Sequence, residues 1–147
     1  LEEVDIVQQI NYMVDYMRKR AAGKIVFAVN DHGHQQVVAK ISAPLFDWVI
    51  ENLLKNSLDA MEGKGSITVD IFDDNKSVHI DITEIGKGIS SRNIARVFKP
   101  GFLTKKRGWG LGLSLSRRII KQYHKGEIFV KHSEIGKGTT FRIVLKK

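Results

Sequence analysis

Apolar residues at Ile6, Val7, Ile10, Met13, Val14 and Met17 recur every three or four positions. That spacing lines one face of a helix and predicts an amphipathic helix running to about Arg20, before Gly23. Strict alternation then takes over. Ile25, Phe27 and Val29, followed by Val37, Ala39 and Ile41, predict two half-buried strands, and the turn-prone Asn30-Asp31-His32-Gly33 between them predicts that they pair as a hairpin. Helical spacing returns at Leu45, Trp48, Val49, Leu53, Ser57 and Ala60. With Ser42 as a cap and Pro44 in the first turn, this predicts a long helix to about Met61. Ile67, Val69, Ile71 and then Val78, Ile80, Ile82 predict a strand pair across Asp73-Asp74-Asn75. A short helical piece is predicted over 91–97, an irregular loop from Pro100, and a helix from Leu111 through Leu115, Ile119, Ile120 and Tyr123 that stops before Gly126. Two last strands, one at Ile128 and Val130 and one from Thr140 to Leu145, flank the Gly136-Lys137-Gly138 turn.

Elements in this order predict a single domain spanning residues 1–147, an α/β two-layer sandwich whose mixed, mainly antiparallel sheet is covered on one face by helices. The polar alternates Asp70, His79, Asp81, Lys131 and Arg142 predict a wetter opposite face. The pentapeptide Glu-Ile-Gly-Lys-Gly occurs at 84–88 and again at 134–138, and without a longer period it reads as coincidence.

Composition changes this picture mainly by exclusion. With 42% hydrophobic and 27% charged residues the chain should fold, and the absence of cysteine removes disulfide frameworks, thiolate zinc sites and thiol redox chemistry. No apolar run approaches the roughly 20 residues of a membrane-spanning helix, so direct membrane insertion of this segment is not expected. The start at Leu1, without Met, hints at a piece of a longer protein; the piece is expected to sit in the cytoplasm, and an anchor of the parent in the inner or plasma membrane stays open.

The net charge of +8 is unevenly placed, for no acidic residue occurs from Ser91 to Lys125. There Arg92, Arg96, Lys99, Lys105, Lys106, Arg107, Arg117, Arg118, Lys121 and Lys125 surround the cluster Gly108, Gly110, Gly112. Cations beside closely spaced glycines favour a polyphosphate ligand over a plain solvated face. Nucleic acid is not expected as a partner, because no recognised motif accompanies the charge and the aromatics are not interleaved with it.

Three groupings carry candidate chemistry. Asn52, Asn56 and Asp59, spaced by four and three, project from one face of the long predicted helix. Glu84-Ile85-Gly86-Lys87-Gly88-Ile89 follows a strand directly, where glycines permit a sharp turn and close approach to a flat ligand, and a carboxylate can accept from an exocyclic amine. Lys105-Lys106-Arg107-Gly108-Trp109-Gly110-Leu111-Gly112-Leu113 runs straight into a helix, which points free N–H groups at an anion. It lacks the Gly-Lys-Ser/Thr of a Walker loop and is not placed like a Rossmann turn.

Taken in order, these segments resemble the catalytic ATP-binding domain of sensor histidine kinases, in the gyrase, Hsp90, histidine kinase and MutL superfamily. Glu51 to Ala60 is similar to the N box, Glu84 to Gly88 to the G1 box, Phe98-Lys99-Pro100-Gly101-Phe102 to the F box, and Gly108 to Gly112 to the G2 box. The resemblance implies the Bergerat ATP-binding fold with a flexible ATP lid at about 99–110. It implies ATP and Mg²⁺ as cofactors, with Asn56 as metal ligand and Asn52, Asn56 and Lys105 in catalytic roles. Nucleotide contacts would come from Asn56, Asp59, Glu84, Gly86, Gly88, Ile89, Phe98, Thr104, Lys105, Gly108, Gly110, Leu111 and Gly112.

The implied partners are a histidine-bearing dimerisation domain of the parent kinase and a response regulator. None of His32, His34, His79, His124 or His132 has the setting of the family's phosphoacceptor. The sequence departs from the family at Glu84, where Asp is usual, and the extra methylene is expected to weaken ATP binding without abolishing it. A sigma-factor-binding serine kinase of the same superfamily and a degenerate nucleotide-sensing or docking module stay open as alternatives at this point.

Overall fold

The computed structural model describes residues 1–21, 23–33, 36–61, 64–86, 97–98 and 112–147. The first helix, α1 (Ile6–Arg20), buries the predicted stripe Ile6, Ile10, Met13, Val14 and Met17. Asp5 caps it by accepting a hydrogen bond from the Gln8 N–H at 3.0 Å, and Arg18, Lys19 and Arg20 in its last turn complement the negative end of the helix dipole. The long helix α2 (Ala43–Ala60) buries Phe46, Val49, Ile50, Leu53 and Leu54, and with them the polar Asn52 and Ser57. Ser42 stands at its N-cap as expected, yet its side chain makes no capping hydrogen bond. Its backbone is used instead: the carbonyl accepts from the Phe46 N–H at 2.8 Å, and the N–H donates to His124 Nε2 at 3.1 Å.

The main sheet has five strands in the order β2 (Ile25–Asp31), β4 (Gly65–Asp73), β5 (Ser77–Glu84), β7 (Gly138–Lys146), β6 (Glu127–Glu134). The β2–β4 pair is parallel and the other three are antiparallel. The predicted β4–β5 and β6–β7 pairs are present, and Asp74 closes the former by accepting from the N–H groups of Lys76 and Ser77, both at 2.8 Å. The predicted first hairpin is not formed. Strand β3 (Val38–Ile41) pairs with β1 (Glu2–Asp5) in a separate two-stranded sheet, and β2 joins β4. Alternation fixes which face of a strand is buried but not which strand it pairs with. The anticipated turn is not one: β2 continues through Asp31, and the His32 N–H carries on toward β4 by donating to the Ile71 carbonyl at 2.8 Å.

Inward-facing residues meet in cross-strand rows, Val29–Val69–Ile82–Phe141–Val130 and Ile71–Ile80–Ile143–Ile128, and the helices cover this face. The opposite face carries the predicted polar alternates, but not as free solvated groups. Arg142 grips Asp81 through Nε and Nη2 at 2.6 and 2.9 Å, while Lys131 Nζ reaches the same carboxylate at 3.0 Å. Burial works to raise the Asp81 pKa, but the hydrogen bonds from Arg142 and Lys131 together outweigh it and hold the carboxyl below its usual value.

The last helix, α3 (Gly112–Arg118), passes into a π-helical segment (Ile119–Tyr123) and ends before Gly126, as expected. There the chain turns through Lys125 in the left-handed region, φ 54°, and a side chain on Gly126 would collide with the Val144 carbonyl. The short helix predicted over 91–97 falls, except for Val97, outside the described residues. No helix among the described residues is long and apolar enough to cross a membrane.

Candidate functional site

Helix α2 organises the site. Asn52, Asn56 and Ala60 follow one another at single-turn intervals, so the three span about 12 Å of one helix face. At the Asn52 end the site meets α3. Asn52 is 9% exposed, and its Nδ2 donates to Ser116 Oγ at 3.2 Å. Gly112 lies flat against this amide: a Cβ there would sit 2.8 Å from Asn52 Nδ2 and closer still to Oδ1. Only glycine lets the start of α3 approach so closely.

At the Ala60 end the site meets the sheet. Glu84 is the final inward position of β5, in the row Phe27–Ile67–Glu84–Thr139, so the alternation that buries Ile80 and Ile82 also buries a carboxylate, 3% exposed. Thr139 donates to that carboxylate from both its hydroxyl and its backbone N–H, but Oε2 has no partner. Desolvation dominates over the Thr139 hydrogen bonds and pushes the Glu84 pKa above the usual glutamate value. Gly86 fits between Glu84 and the C-terminal turn of α2, where an added Cβ would overlap Oε2 and stand 2.7 Å from the Ala60 carbonyl oxygen. Two acceptors thus border the space a side chain on Gly86 would take, and Oε2 finds no donor among the described residues.

Midway along the row, Asn56 Nδ2 is also buried without a partner. Among the described residues, Asn56 Nδ2 and Glu84 Oε2 are the buried side-chain polar atoms left unsatisfied. Native structures pair nearly all such atoms, and an unpaired one at a candidate site marks a place for a ligand group. Asp59 is half-buried on the same helix. Phe98 is buried edge-to-face against Phe141, with centroids 6.0 Å apart, and the Arg117 guanidinium lies 5.5 Å from its ring centre, so its ring touches both β7 and α3.

The structure therefore brings together Asn52, Asn56, Glu84, Gly86 and Gly112. Gly88, Ile89, Thr104, Lys105, Gly108, Gly110 and Leu111, with the lid expected at 99–110, lie outside the described residues. Ser116 and Thr139 were not singled out from sequence. Ser116 had a readable signal, a hydroxyl one helical turn after Gly112; Thr139 had none, because its meeting with Glu84 is a matter of strand register.

A helix carrying paired amides, a buried carboxylate at a strand end and two close glycine approaches on a two-layer α/β sandwich make the layout of a Bergerat-type ATP-binding domain. Comparison with known proteins agrees. Residues 41–147 match the model of the "Histidine kinase-, DNA gyrase B-, and HSP90-like ATPase" family, and the chain belongs to that family. It is 33% identical over 150 residues to the sensor histidine kinase ZraS of Escherichia coli (strain K12), an alignment covering 99% of this chain and 31% of ZraS. Among solved structures, the nucleotide-free catalytic domain of the histidine kinase ThkA superposes with a TM-score of 0.86 at 26% identity, covering 99% of this chain and 96% of that one. ThkA in complex with the response regulator protein TrrA shares the fold, with a TM-score of 0.84 at 23% identity over 99% of this chain and 41% of that one. The chain spans only 13% to 31% of the length of the curated relatives it matches.

Proposed function

We propose that this domain binds Mg²⁺-ATP along α2 and delivers the γ-phosphoryl group to a histidine on a separate dimerisation domain of the parent kinase, from which a response regulator receives it. The observation that carries this reading is the pair of unsatisfied buried atoms, Asn56 Nδ2 and Glu84 Oε2, each inside a segment that resembles a nucleotide-binding box. Of the alternatives left open by the sequence, the relatives favour the sensor kinase: ZraS is a sensor histidine kinase, and the other kinase has been solved with a response regulator. The parent would be a cytoplasmic or membrane-anchored sensor.

In this reading Glu84 Oε2 accepts from the exocyclic amine of the purine, while Thr139 holds the other carboxylate oxygen and so fixes its direction. Gly86 and Gly112 let backbone approach the ligand at its two ends. Asn56 and Asn52 offer amide groups beside the phosphates, and Thr104, Lys105 and the glycines 108–112 would supply the charge and N–H groups that cradle them.

The residues present fit a magnesium site. Mg²⁺ prefers oxygen ligands and is usually held by one or two side chains plus substrate phosphates. Asn56 would offer its amide oxygen to the ion, its Nδ2, buried without a partner, being left to donate to a phosphate oxygen or a metal-bound water, and no cluster of three or more His, Cys, Asp or Glu occurs among the described residues to suggest an all-protein cage. When bound, the ion would neutralise charge on the transferring phosphate. The phosphoacceptor is expected elsewhere, because His124 is buried with both ring nitrogens engaged and His32 is stacked on Phe72.

Two measurements test the proposal. Titration calorimetry with a non-hydrolysable ATP analogue should show binding that strengthens with Mg²⁺. With γ-labelled ATP, label should appear on an added histidine-bearing dimerisation domain from a related kinase or the parent, and not on this chain alone. Absence of nucleotide binding, or stable label on one of this chain's own histidines, would refute it.

A further inference from the structure

Where α3 meets α2, Asn52 Nδ2 donates to Ser116 Oγ at 3.2 Å and Ser116 Oγ donates to the Gly112 carbonyl at 2.8 Å. A backbone carbonyl can only accept, so the single proton of the Ser116 hydroxyl is committed to Gly112. What Oγ then offers Asn52 is lone pairs alone. An asparagine side chain presents an NH₂ and a carbonyl oxygen of nearly the same shape, and its orientation is decided by what it faces. A hydroxyl with its proton already used accepts only the NH₂.

We infer that Ser116 is a positioning residue that fixes the orientation of the Asn52 amide, turning its oxygen away from α3's hydroxyl and across Gly112 toward the bound metal–nucleotide. The inference rests on the Mg²⁺-ATP reading above and adds to it a residue outside the recognised boxes.

Geometry holds the hydroxyl in register. Ser116 is fully buried, 0% exposed. Eight residues later His124 Nδ1–H donates to the Ile119 carbonyl at 2.9 Å, which leaves Nε2 to accept the Ser42 N–H at the head of α2. In a regular α-helix, positions eight apart fall about 80° out of phase. The intervening π segment, Ile119–Tyr123, closes i→i+5 bonds and turns less per residue, which brings Ser116 and His124 onto one side, both against α2. Thus α3 is pinned to α2 at both ends, and the Asn52 amide faces a fixed acceptor.

The discriminating quantity is the gain in nucleotide affinity that Mg²⁺ confers, measured by calorimetry with a non-hydrolysable ATP analogue in Mg²⁺ and in EDTA. In Ser116→Ala the amide loses the partner that selects its orientation, and this gain is expected to shrink about three- to tenfold, the worth of one hydrogen bond, while the affinity in EDTA stays within error of wild type. A purely structural role for the hydroxyl predicts an equal fall under both conditions, and that result, or an unchanged gain, overturns the inference. Should Ser116→Ala fail to fold, Ser116→Cys keeps the side chain's connectivity with a somewhat larger and much weaker acceptor, and the same selective loss is expected. Wild-type protein that binds no nucleotide at all overturns the Mg²⁺-ATP reading and this inference with it. Wild-type binding with an unaltered gain in the variant overturns this inference alone.

Discussion

Replacing Glu84 with Gln keeps the length of the side chain and removes its charge and one acceptor, and the structure makes the two consequences run in opposite directions. In the free protein, Oε2 is buried without a partner, and it and the Ala60 carbonyl oxygen both border the space a side chain on Gly86 would take. A buried polar atom left unpaired costs about 1–3 kcal/mol. In Glu84→Gln an N–H replaces that oxygen and is expected to turn to the Ala60 carbonyl as its acceptor, while the remaining oxygen keeps the Thr139 hydrogen bonds. Stability should therefore rise by up to about 1 kcal/mol, or roughly 2–4 °C in Tm for a domain of this size. Nucleotide binding should weaken. The lost bond from the exocyclic amine to a carboxylate is worth about 1.5–3 kcal/mol, which is roughly ten- to a hundredfold in Kd. Glu84→Asp keeps the charge on a shorter arm and is expected to tighten binding instead.

Differential scanning calorimetry without nucleotide and titration calorimetry with the Mg²⁺-bound analogue check both halves. A pH series adds a third measurement. Because burial raises the folded-state pKa of Glu84 above its ordinary value of 4.5, the native chain holds this proton more tightly than the unfolded chain between those two values. Its contribution to stability therefore grows as pH falls through the folded pKa toward 4.5, and is lost as pH rises. Glu84→Gln should flatten that portion of the curve. A variant that melts lower than wild type and binds nucleotide equally well would refute both the burial argument and the acceptor role.

Gly112→Ala forces a methyl into the Asn52 amide; a side chain rather than backbone must give way, so nucleotide affinity is expected to fall at least tenfold while Tm drops only a few degrees, measured by calorimetry. Asp81→Asn strips Arg142 and Lys131 of their shared partner. Their side chains are 21% and 44% exposed, so water softens the loss to about 1–3 kcal/mol by urea denaturation, without change in Kd. In the wild type the Asp81 contribution has the opposite pH sign to Glu84: its pKa is depressed, so its stabilisation is present above 3.8 and lost as pH falls through the folded value. His124→Ala leaves the Ser42 N–H without its acceptor, with an expected cost of about 1–3 kcal/mol and faster hydrogen exchange at Ser42; unchanged exchange there would show that the ring does not hold α2.

Much of this domain could be read from spacing alone because α1, α2, β4 and β5 are each specified by their own residues. Ile6 to Met17 and Ile67 to Ile82 announce both their type and their buried face. Partner choice is different. Ile25, Phe27 and Val29 would look the same beside β3 as beside β4, and β1, with Val4 as its one aliphatic residue, carried too little pattern to announce itself as the true partner of β3. The π segment was hidden for a related reason: Leu115, Ile119 and Tyr123 keep four-residue spacing whether the bonds close at i+4 or i+5.

The same division runs through the site. Asn52 and Asn56 were visible because one helix carries both, and Glu84 because glycines follow it. Thr139 and Ser116 act across register and across a helix contact, neither of which is local. Glu84 shows how the two levels meet. The alternation that places Ile80 and Ile82 inward leaves β5 no way to end at residue 84 except with an inward side chain, so a fold built to exclude water from aliphatic residues also desolvates a carboxylate. Most folds would place an aliphatic side chain there. Keeping an acid, with Thr139 holding one oxygen and glycine rather than a side chain beside the other, leaves Oε2 without a donor among the described residues, and on the function proposed above the purine amine is that donor. On that proposal nucleotide recognition carries a cost in unliganded stability, and it is why Glu84→Gln should separate the two.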